Sequence, residues 1–274
     1  ASEATGIALS DIRIEAVDTT VVADSGLTVA SRGTAQGGQS VRLAGEAIRG
    51  MLLETAREML GATADEEVDL RDGRCLVVRQ PERSVSVEDV ARARRYAGLP
   101  LETYQWYAPR PLENDASTGQ GEAFTTYAYG ACVCEVSVNA HTGRVVVDRV
   151  SAYHDVGHAL NPELVRGQIY GGIVMGLGYG LWEDVDLDHG RMHADNLDAY
   201  LVGTSGDAPL MNVRLYECDD PEGTYGAKCI AEAGSEMVGA AAALAVSHAV
   251  GRPLRCIPVT PEAVLDALDR GGEV

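Results

Sequence analysis

The stretch YGACVCEVSVNAHTGRVVVDRVSAYHDVGHALNP, residues 129–162, carries the strongest strand signal in the chain. Apolar and polar side chains alternate over residues 124–153 on both sides of NAHTGR, which predicts two long strands joined by a turn. Cys132 and Cys134 lie two residues apart in this run and therefore face the same side of one strand, as in ordinary packing. Residues 164–182, which follow, are apolar and rich in glycine and predict a helix.

The other elements follow in mixed order on both sides of this stretch. Apolar residues at helical spacing predict a helix over 38–61, and Asp72-Gly73 between alternating runs predicts a hairpin. The remaining predicted elements are a short helix over 86–96 capped by Ser86, an acidic hairpin over 182–195, a strand near 211–217, a helix over 236–250 and a terminal helix over 260–268. Without a regular strand–helix–strand alternation, an α+β fold of mixed sheets with packed helices is favoured over a doubly wound sheet.

The length fits one large domain over 1–274, or two lobes joined by a surface connection near 108–121, where Pro, Asn, Asp, Ser and Gly are concentrated. The N-terminus lacks the basic and apolar regions of a signal peptide, and no apolar run is long enough to span a bilayer. We therefore expect a cytoplasmic protein with no membrane partner. Ala1 fits removal of an initiator Met and fits a fragment of a longer protein equally well.

Charge and cysteine spacing exclude several kinds of site. Only 22 Lys and Arg residues stand against 41 carboxylates, a formal charge of −19, which argues against nucleic acid as a partner. The six cysteines contain no C-x-x-C pair, so neither an iron–sulfur cluster nor a zinc ribbon is predicted. We expect buried free thiols.

Three weaker patterns are better explained by ordinary structure. The glycines of GGIVMGLGYG, residues 171–180, do not fit a dinucleotide fingerprint, because Leu181 stands where its last glycine belongs. Asp184, Asp186 and Asp188 imitate a calcium loop whose glycine falls one position late, so a solvated hairpin is favoured. His154 and His158 are four apart, but Asp-Val-Gly between them does not suit a helix, which favours polar loop residues over metal ligands.

Four segments taken together resemble one known family. These segments follow one another in the same order and at the same spacing as in that family. They are 24–41 (DSGLTVASRGTAQGGQSV), 129–162, 167–184 (GQIYGGIVMGLGYGLWED) and 225–233 (YGAKCIAEA), followed by VTPEAVLDAL. The chain resembles the C-terminal half of the molybdenum-binding large subunits of the xanthine dehydrogenase and aldehyde oxidase family. It looks like the second half of a subunit that nicotinate dehydrogenase-type hydroxylases divide between two chains.

The resemblance implies a role for Glu232, which stands among small residues in GAKCIAEAG, residues 226–234. The family's loop glutamate lies beside the molybdenum and acts as a general base on the water-derived nucleophile, a task that suits a desolvated carboxylate. The alternative is that Glu232 stabilises the start of the next helix, where negative charge is favoured by ~0.3–1 kcal/mol. Cys229 and Ala231 replace family glycines and Ala233-Gly234 replaces two prolines, which puts the loop shape and the substrate pocket in question.

The resemblance also implies which residues hold the cofactor, molybdopterin extended as a cytosine dinucleotide and carrying molybdenum. Glycine-rich backbone suits this task because a missing Cβ permits close approach. Arg32 could pair with a cofactor phosphate or form a surface ion pair. The metal is held through the pterin and not by this chain directly, and Ala30 would stand behind the metal site. The implied cofactor-binding residues are Ala30, Ser31, Arg32, Gly33, Thr34, Gln39, Gln168, Gly226, Ala227 and Lys228.

A molybdenum hydroxylase of this kind works with other chains. The resemblance implies partners that carry the first half of the molybdenum domain, [2Fe–2S] clusters and FAD. The expected substrate is a small aromatic N-heterocycle, purine or nicotinate-like. An aldehyde or carbon monoxide is an alternative, and so is a non-catalytic scaffold role.

Overall fold

A computed structural model describes residues 1–15, 17–185 and 187–269 of the protein. The chain divides into two compact units, Ala1–Ala123 and Phe124–Val274. The segment 108–121 lies within the first unit, and the assignment of 1–274 to one domain stays a prediction. Both units mix helices with β-sheets, which confirms the α+β fold class.

The first unit packs two helices against a three-stranded antiparallel sheet. After the short helix α1 (Ser2–Thr5), the long helix α2 (Gly38–Leu60) ends at Gly61 in the left-handed conformation, as the sequence predicts. Strands β1 (Val68–Arg71), β2 (Arg74–Val77) and β3 (Gln80–Ser86) form the sheet, and α3 (Val87–Tyr96) follows. Asp72 and Gly73 both have positive φ, which fits the tight turn predicted there. The core contains Leu52, Leu70, Cys75, Val77 and Val90.

Ser86 caps α3 as predicted, because its Oγ accepts a hydrogen bond of 3.1 Å from the N–H of Asp89. The segment 108–121 contains the two-residue strands β4 (Asn114–Asp115) and β5 (Gln120–Gly121), which pair with each other.

The second unit is built on the strand pair predicted from residues 124–153. Strands β6 (Gly130–Val138) and β7 (Val145–Asp155) are antiparallel, and the side chain of Asn139 accepts hydrogen bonds from two turn N–H groups between them. Helix α4 (Pro162–Leu181), capped by Asn161, leads to the hairpin β8 (Leu187–Asp188) and β9 (Arg191–Met192) and then to β10 (Leu210–Tyr216). The hairpin confirms the predicted acidic turn, although Asp186 lies outside the described residues.

Strand β10 lies parallel to β7, which makes β7 the central strand in the order β10-β7-β6. Parallel neighbours need a crossover, and α4 lies in the connection between them. One strand–helix–strand unit therefore occurs inside an otherwise irregular succession of elements. Helices α5 (Ala233–Glu236), α6 (Val238–Val250) and α7 (Pro261–Asp269) complete the unit.

The core of the second unit lies between the sheet and the helices, and α4 and α6 supply most of it. It contains Val150 and Ala152 from β7, Ile169, Ile173 and Leu177 from α4, and Val238, Ala242 and Val246 from α6. By length and composition Ala233–Val250 would suffice to cross a membrane. Its buried face packs here as the core helix of a folded unit does.

Three glycines spaced four residues apart set the distance between α4 and the helices beside it. A Cβ added at Gly172 would lie 2.6 Å from the carbonyl carbon of Gly234, and one at Gly176 would lie 2.7 Å from the carbonyl oxygen of Ser235. One at Gly180 would lie 2.9 Å from the Cα of Gly239. These distances are shorter than van der Waals contact, so the helices approach this closely only because side chains are missing.

The burial of the cysteine side chains differs from the expectation of buried free thiols. All six cysteines are free, but only Cys75 is fully buried, and Cys218 and Cys256 are exposed. Both exposed residues lie outside the regular strands and helices, where the sequence offers no periodicity from which burial can be judged. Burial raises the pKa of the Cys75 thiol, which keeps it protonated.

Replacement of Gly172 by Ala should lower the free energy of unfolding by about 1–3 kcal/mol, because the methyl group overlaps the Gly234 backbone. Gly171→Ala is the matched control, since a Cβ there meets nothing within 4 Å. We expect it to be neutral or to stabilise α4 by up to ~1 kcal/mol through helix propensity. Urea unfolding measures both, and equal effects at the two positions would contradict the packing account.

Candidate functional site

The loop that precedes Glu232 is hydrogen-bonded to the end of β7. The carbonyl of Gly226 accepts from the N–H of His158 at 2.8 Å, and the N–H of Lys228 donates to the carbonyl of Val156 at 2.9 Å. Between these bonds Gly157 and Ala227 form an isolated antiparallel bridge. A Cβ added at Gly157 would lie 2.2 Å from the carbonyl oxygen of Gly226, so only glycine permits this approach.

Lys228 is held by partners inside the second unit. Its Nζ donates to the Asp155 carboxylate at 2.6 Å and to the carbonyl of Tyr127 at 2.7 Å. It also lies 5.6 Å from the centre of the Tyr129 ring, within cation–π range. The side chains of Lys228 and Asp155 are only 11% and 8% exposed. The ammonium group is therefore desolvated and paired.

Glu232 follows four residues after Lys228 and stands at the start of α5. Ile230 between them packs against the apolar core, while Glu232 itself is exposed. The Glu232 carbonyl accepts from the N–H and the Oγ of Ser235, at 2.9 and 2.8 Å. Its carboxylate makes no side-chain capping hydrogen bond to the helix. Its backbone is thus fixed while its carboxylate lies at the surface.

Gln168 lies on α4 close to this loop. A Cβ added at Gly234 would lie 3.4 Å from the Gln168 carbonyl oxygen, so the two backbones are in contact. The Gln168 side chain is exposed, and its amide has no hydrogen-bond partner among residues 1–15, 17–185 and 187–269. Gly167 and Gly171 beside it have nothing within 4 Å of an added Cβ. This face of α4 therefore offers an amide and open backbone.

The predicted cofactor segment of the first unit has unusual backbone geometry. Ala30 and Ser31 both have positive φ, and residues Gly33–Gly37 form a π-helical turn that runs into α2. Such turns and left-handed non-glycine residues are uncommon and concentrate at functional sites. Thr34 lies on the π-helical turn and is exposed.

A groove of about 470 Å³ lies at this segment, and its lining includes Arg32, Gly33, Gly37, Trp106 and Tyr107. A Cβ added at Gly33 or Gly37 would meet nothing within 4 Å, so neither glycine is required by packing in the first unit. Open backbone beside two aromatic rings suits a flat, polar ligand.

The remaining side chains of this segment have partners in the first unit. The Arg32 guanidinium donates to the Ser25 carbonyl, which closes the loop before the π-helical turn. This contact is not a surface ion pair, and pairing of Arg32 with a cofactor phosphate stays a prediction. Gln39 is buried on α2, where its Oε1 accepts from the Arg42 Nε at 2.7 Å.

The described residues contain no group of three or more His, Cys, Asp or Glu side chains that could hold a metal ion. His154 is buried within β7, and burial lowers its pKa so that the imidazole stays neutral. His158 is exposed, with Nδ1 3.9 Å from the Glu217 carboxylate. The two histidines therefore sit in different environments.

A molybdopterin cofactor-binding domain model matches residues 1–209. The chain belongs to this family. Together with the relatives described next, the match confirms the resemblance to the molybdenum-binding subunits of the xanthine dehydrogenase family. It covers both the unusual backbone segment before α2 and the face of α4 that carries Gln168.

Known relatives resemble the molybdopterin-binding chain over nearly its whole length. It is 28% identical over 275 residues to the xanthine dehydrogenase molybdenum-binding subunit of Escherichia coli O157:H7, covering 99% of this chain and 35% of the relative. It is 30% identical over 271 residues to the nicotine 6-hydroxylase large subunit of Paenarthrobacter nicotinovorans, covering 97% and 32%. The chain thus spans about a third of the length of the curated relatives it matches.

Among solved structures, quinoline 2-oxidoreductase from Pseudomonas putida 86 matches with a TM-score of 0.81 at 25% identity. The superposition covers 98% of this chain and 34% of that one. The fold of the molybdopterin-binding chain is therefore that of a molybdenum hydroxylase subunit.

Sequence reasoning missed Asp155, Tyr127 and Tyr129, which hold Lys228. No local pattern could have found them, because Lys228 and Asp155 are 73 positions apart. It also missed the contact of Gly172 with Gly234, although the spacing of Gly172, Gly176 and Gly180 on one helix face was visible. The site residues stay predictions from the sequence, and the contacts around Lys228 and Gly172 are seen only in the structure.

Loss of the buried ion pair should cost more than loss of an exposed one. Lys228→Met leaves the Asp155 charge buried without its partner and should lower the free energy of unfolding by about 3–5 kcal/mol. The matched control is Arg149→Met, which removes an exposed ion pair to Glu135 and should cost less than ~1 kcal/mol. Denaturant unfolding compares them, and a similar small loss in both variants would show that the Lys228 pair contributes little.

Proposed function

We propose that this chain holds a molybdopterin cofactor and supplies the general base of a molybdenum hydroxylase acting on an aromatic N-heterocycle, purine or nicotinate-like, with water as the oxygen source. When bound, the molybdenum centre accepts the two electrons that substrate oxidation releases. The observation that supports this most directly is the exposed carboxylate of Glu232, two residues before Gly234, whose backbone lies close to that of Gln168.

The contacts of Glu232 favour the catalytic role over a helix-end role. Helix α5 runs through Met237 into α6, so a helix-end role for Glu232 would require its carboxylate to bind the first N–H groups of α5. The carboxylate makes no capping hydrogen bond to it. The exposed carboxylate is accessible to a substrate, and the desolvation expected of a general base would come from the bound cofactor and the partner chain.

The side chains and glycines present fit a pterin cofactor. Gln168 presents an amide that can both donate and accept hydrogen bonds, as pterin edges require. In the first unit Gly33 and Gly37 leave space where side chains would otherwise stand, and within the second unit Gly171 does so. The groove beside Trp106 and Tyr107 suits an extended nucleotide portion, which we take to be a cytosine dinucleotide. Ala30, Ser31, Arg32, Thr34, Gln39, Gly226 and Ala227 stay assigned to the cofactor by resemblance.

The electrons released by the reaction need an acceptor outside this chain. Its cysteines lack the spacing of iron–sulfur ligands, and relatives carry names such as "large subunit" and "complex subunit gamma". We therefore propose a cytoplasmic assembly in which other chains or domains supply the rest of the molybdenum domain, [2Fe–2S] clusters and FAD.

Glu232→Gln keeps the size of the side chain and removes its basicity. In the purified complex, folding and molybdenum content should persist. Reduction of the bound molybdenum by hypoxanthine or nicotinate in a single turnover should slow by about 10²–10⁴-fold. The matched control is Glu236→Gln on α5, which should react normally. Normal reduction in a fully loaded Glu232→Gln complex would return Glu232 to the helix-end role.

Gln168→Ala should lower molybdenum and pterin occupancy, because it removes a hydrogen bond typically worth ~0.5–1.5 kcal/mol. Thermal stability of the subunit should not change, since the side chain is exposed. Gln120→Ala, at an exposed position in the first unit, serves as the control and should leave occupancy unchanged. Unaltered occupancy with slower turnover would mean that Gln168 is wrongly placed.

A scaffold role predicts the same molybdenum content in complexes purified with and without this chain.

A further inference from the structure

We propose that Lys228 is a positioning residue for Glu232: paired with Asp155, it locks the loop that carries the carboxylate, and it does not contact the cofactor. This rests on the proposed function of Glu232 as the base. The resemblance places Lys228 among the cofactor-binding residues, whereas its contacts in the second unit point to a different role.

The Lys228 ammonium group joins three parts of the chain that are distant in sequence. It binds the carbonyl of Tyr127 before β6 and the carboxylate of Asp155 at the end of β7, and its own backbone belongs to the Glu232 loop. The Tyr129 ring lies against the same ammonium group. This cation therefore adds side-chain contacts to the backbone hydrogen bonds that join the Glu232 loop to the residues after β7.

The Asp155 carboxylate, which accepts the hydrogen bond from Lys228, is itself oriented by a backbone N–H. One oxygen of Asp155 accepts from the N–H of Gly157 at 3.1 Å, which leaves the other oxygen directed at Lys228 at 2.6 Å. Both side chains are shielded from water, where charge-assisted hydrogen bonds are stronger and better defined than on the surface. The pair thus restricts where the loop can lie.

The path from Lys228 to Glu232 is short and is fixed at both ends. Ile230 packs into the core midway, and Gly234, two residues beyond Glu232, lies against Gly172 on α4. Loss of the Lys228 side-chain contacts would loosen one end of this span, which would then be held only by the backbone hydrogen bonds to Val156 and His158. We expect the carboxylate to move relative to substrate, and a misplacement of about 1 Å can cost about 10²-fold in rate.

Four single variants and the double variant Lys228→Met/Asp155→Asn, all in the complete complex, test the proposal. Lys228→Met removes the charge at similar length, Lys228→Arg keeps a cation, and Asp155→Asn removes the partner's charge while retaining an acceptor. Arg149→Met on the same strand is the control, because its ion pair with Glu135 is exposed. The readouts are hydrogen exchange of the peptides covering 224–234, pterin content, and the kcat and KM of whichever of hypoxanthine and nicotinate the complex oxidises.

The proposal predicts faster exchange over 224–234 in both Lys228→Met and Asp155→Asn, with pterin content unchanged. It further predicts a fall in kcat of about 10-fold or more with KM within about threefold, partial rescue in Lys228→Arg, and a double variant no slower than Lys228→Met. The control should match the wild type in every readout.

Three results would overturn it. Loss of pterin in Lys228→Met but not in Asp155→Asn would show direct cofactor contact. Unchanged exchange and unchanged kcat in both variants would show that the pair does not hold the loop, and a double variant with additive losses would show that the two residues act separately. If Lys228→Met does not fold, Asp155→Asn decides alone through exchange and kcat.

The proposal and the function on which it rests fail in different ways. If Glu232→Gln reacts normally, the base assignment fails whatever the Lys228 variants do. If Glu232→Gln is slow while Asp155→Asn shows normal exchange and normal kcat, the base stands and the positioning role fails. The hydrogen-exchange readout needs no substrate, so it tests whether Lys228 and Asp155 hold the loop independently of activity.

Discussion

Contact between the backbones of α4 and α5 depends on the missing side chains of Gly172 and Gly234. Any Cβ at Gly172 would lie within 2.6 Å of the opposing backbone, so a single methyl group would force the helices apart. This contact fixes the position of the residues on both sides of it. Gln168 stands one helical turn before Gly172, and Glu232 stands two residues before Gly234. The geometry of the candidate site therefore follows from close packing of glycine.

Charge is used in two different ways within the loop that this packing positions. The Lys228 side chain is largely shielded from water, is paired with Asp155 and contacts an aromatic ring and a carbonyl, as suits a structural cation. Glu232, four residues later, is exposed and makes no capping hydrogen bond. A fixed charge thus stabilises the loop, and a second charge on the same loop faces the solvent side, where substrate and cofactor are expected.

The sequence predicted what depends on local periodicity. The hairpin at Asp72-Gly73, the helix over 38–61 and the pair of strands around NAHTGR are confirmed, because turn residues and apolar spacing specify them locally. The parallel pairing of β10 with β7 was not predicted, because the sequence of a strand does not identify the strand with which it pairs. The Lys228–Asp155 pair was missed for the same reason. The positive φ of Ala30 and Ser31 has no local signature, because neither is glycine.

A structure of the complete complex with its molybdenum cofactor bound tests the central claim most directly. The distances to measure run from the Glu232 carboxylate and the Gln168 amide to the cofactor. The account predicts the amide within hydrogen-bond distance of the pterin, about 2.7–3.2 Å, the carboxylate facing the molybdenum, and Lys228 still bound to Asp155. A cofactor that contacts the Lys228 ammonium while Glu232 points away from the metal would contradict it.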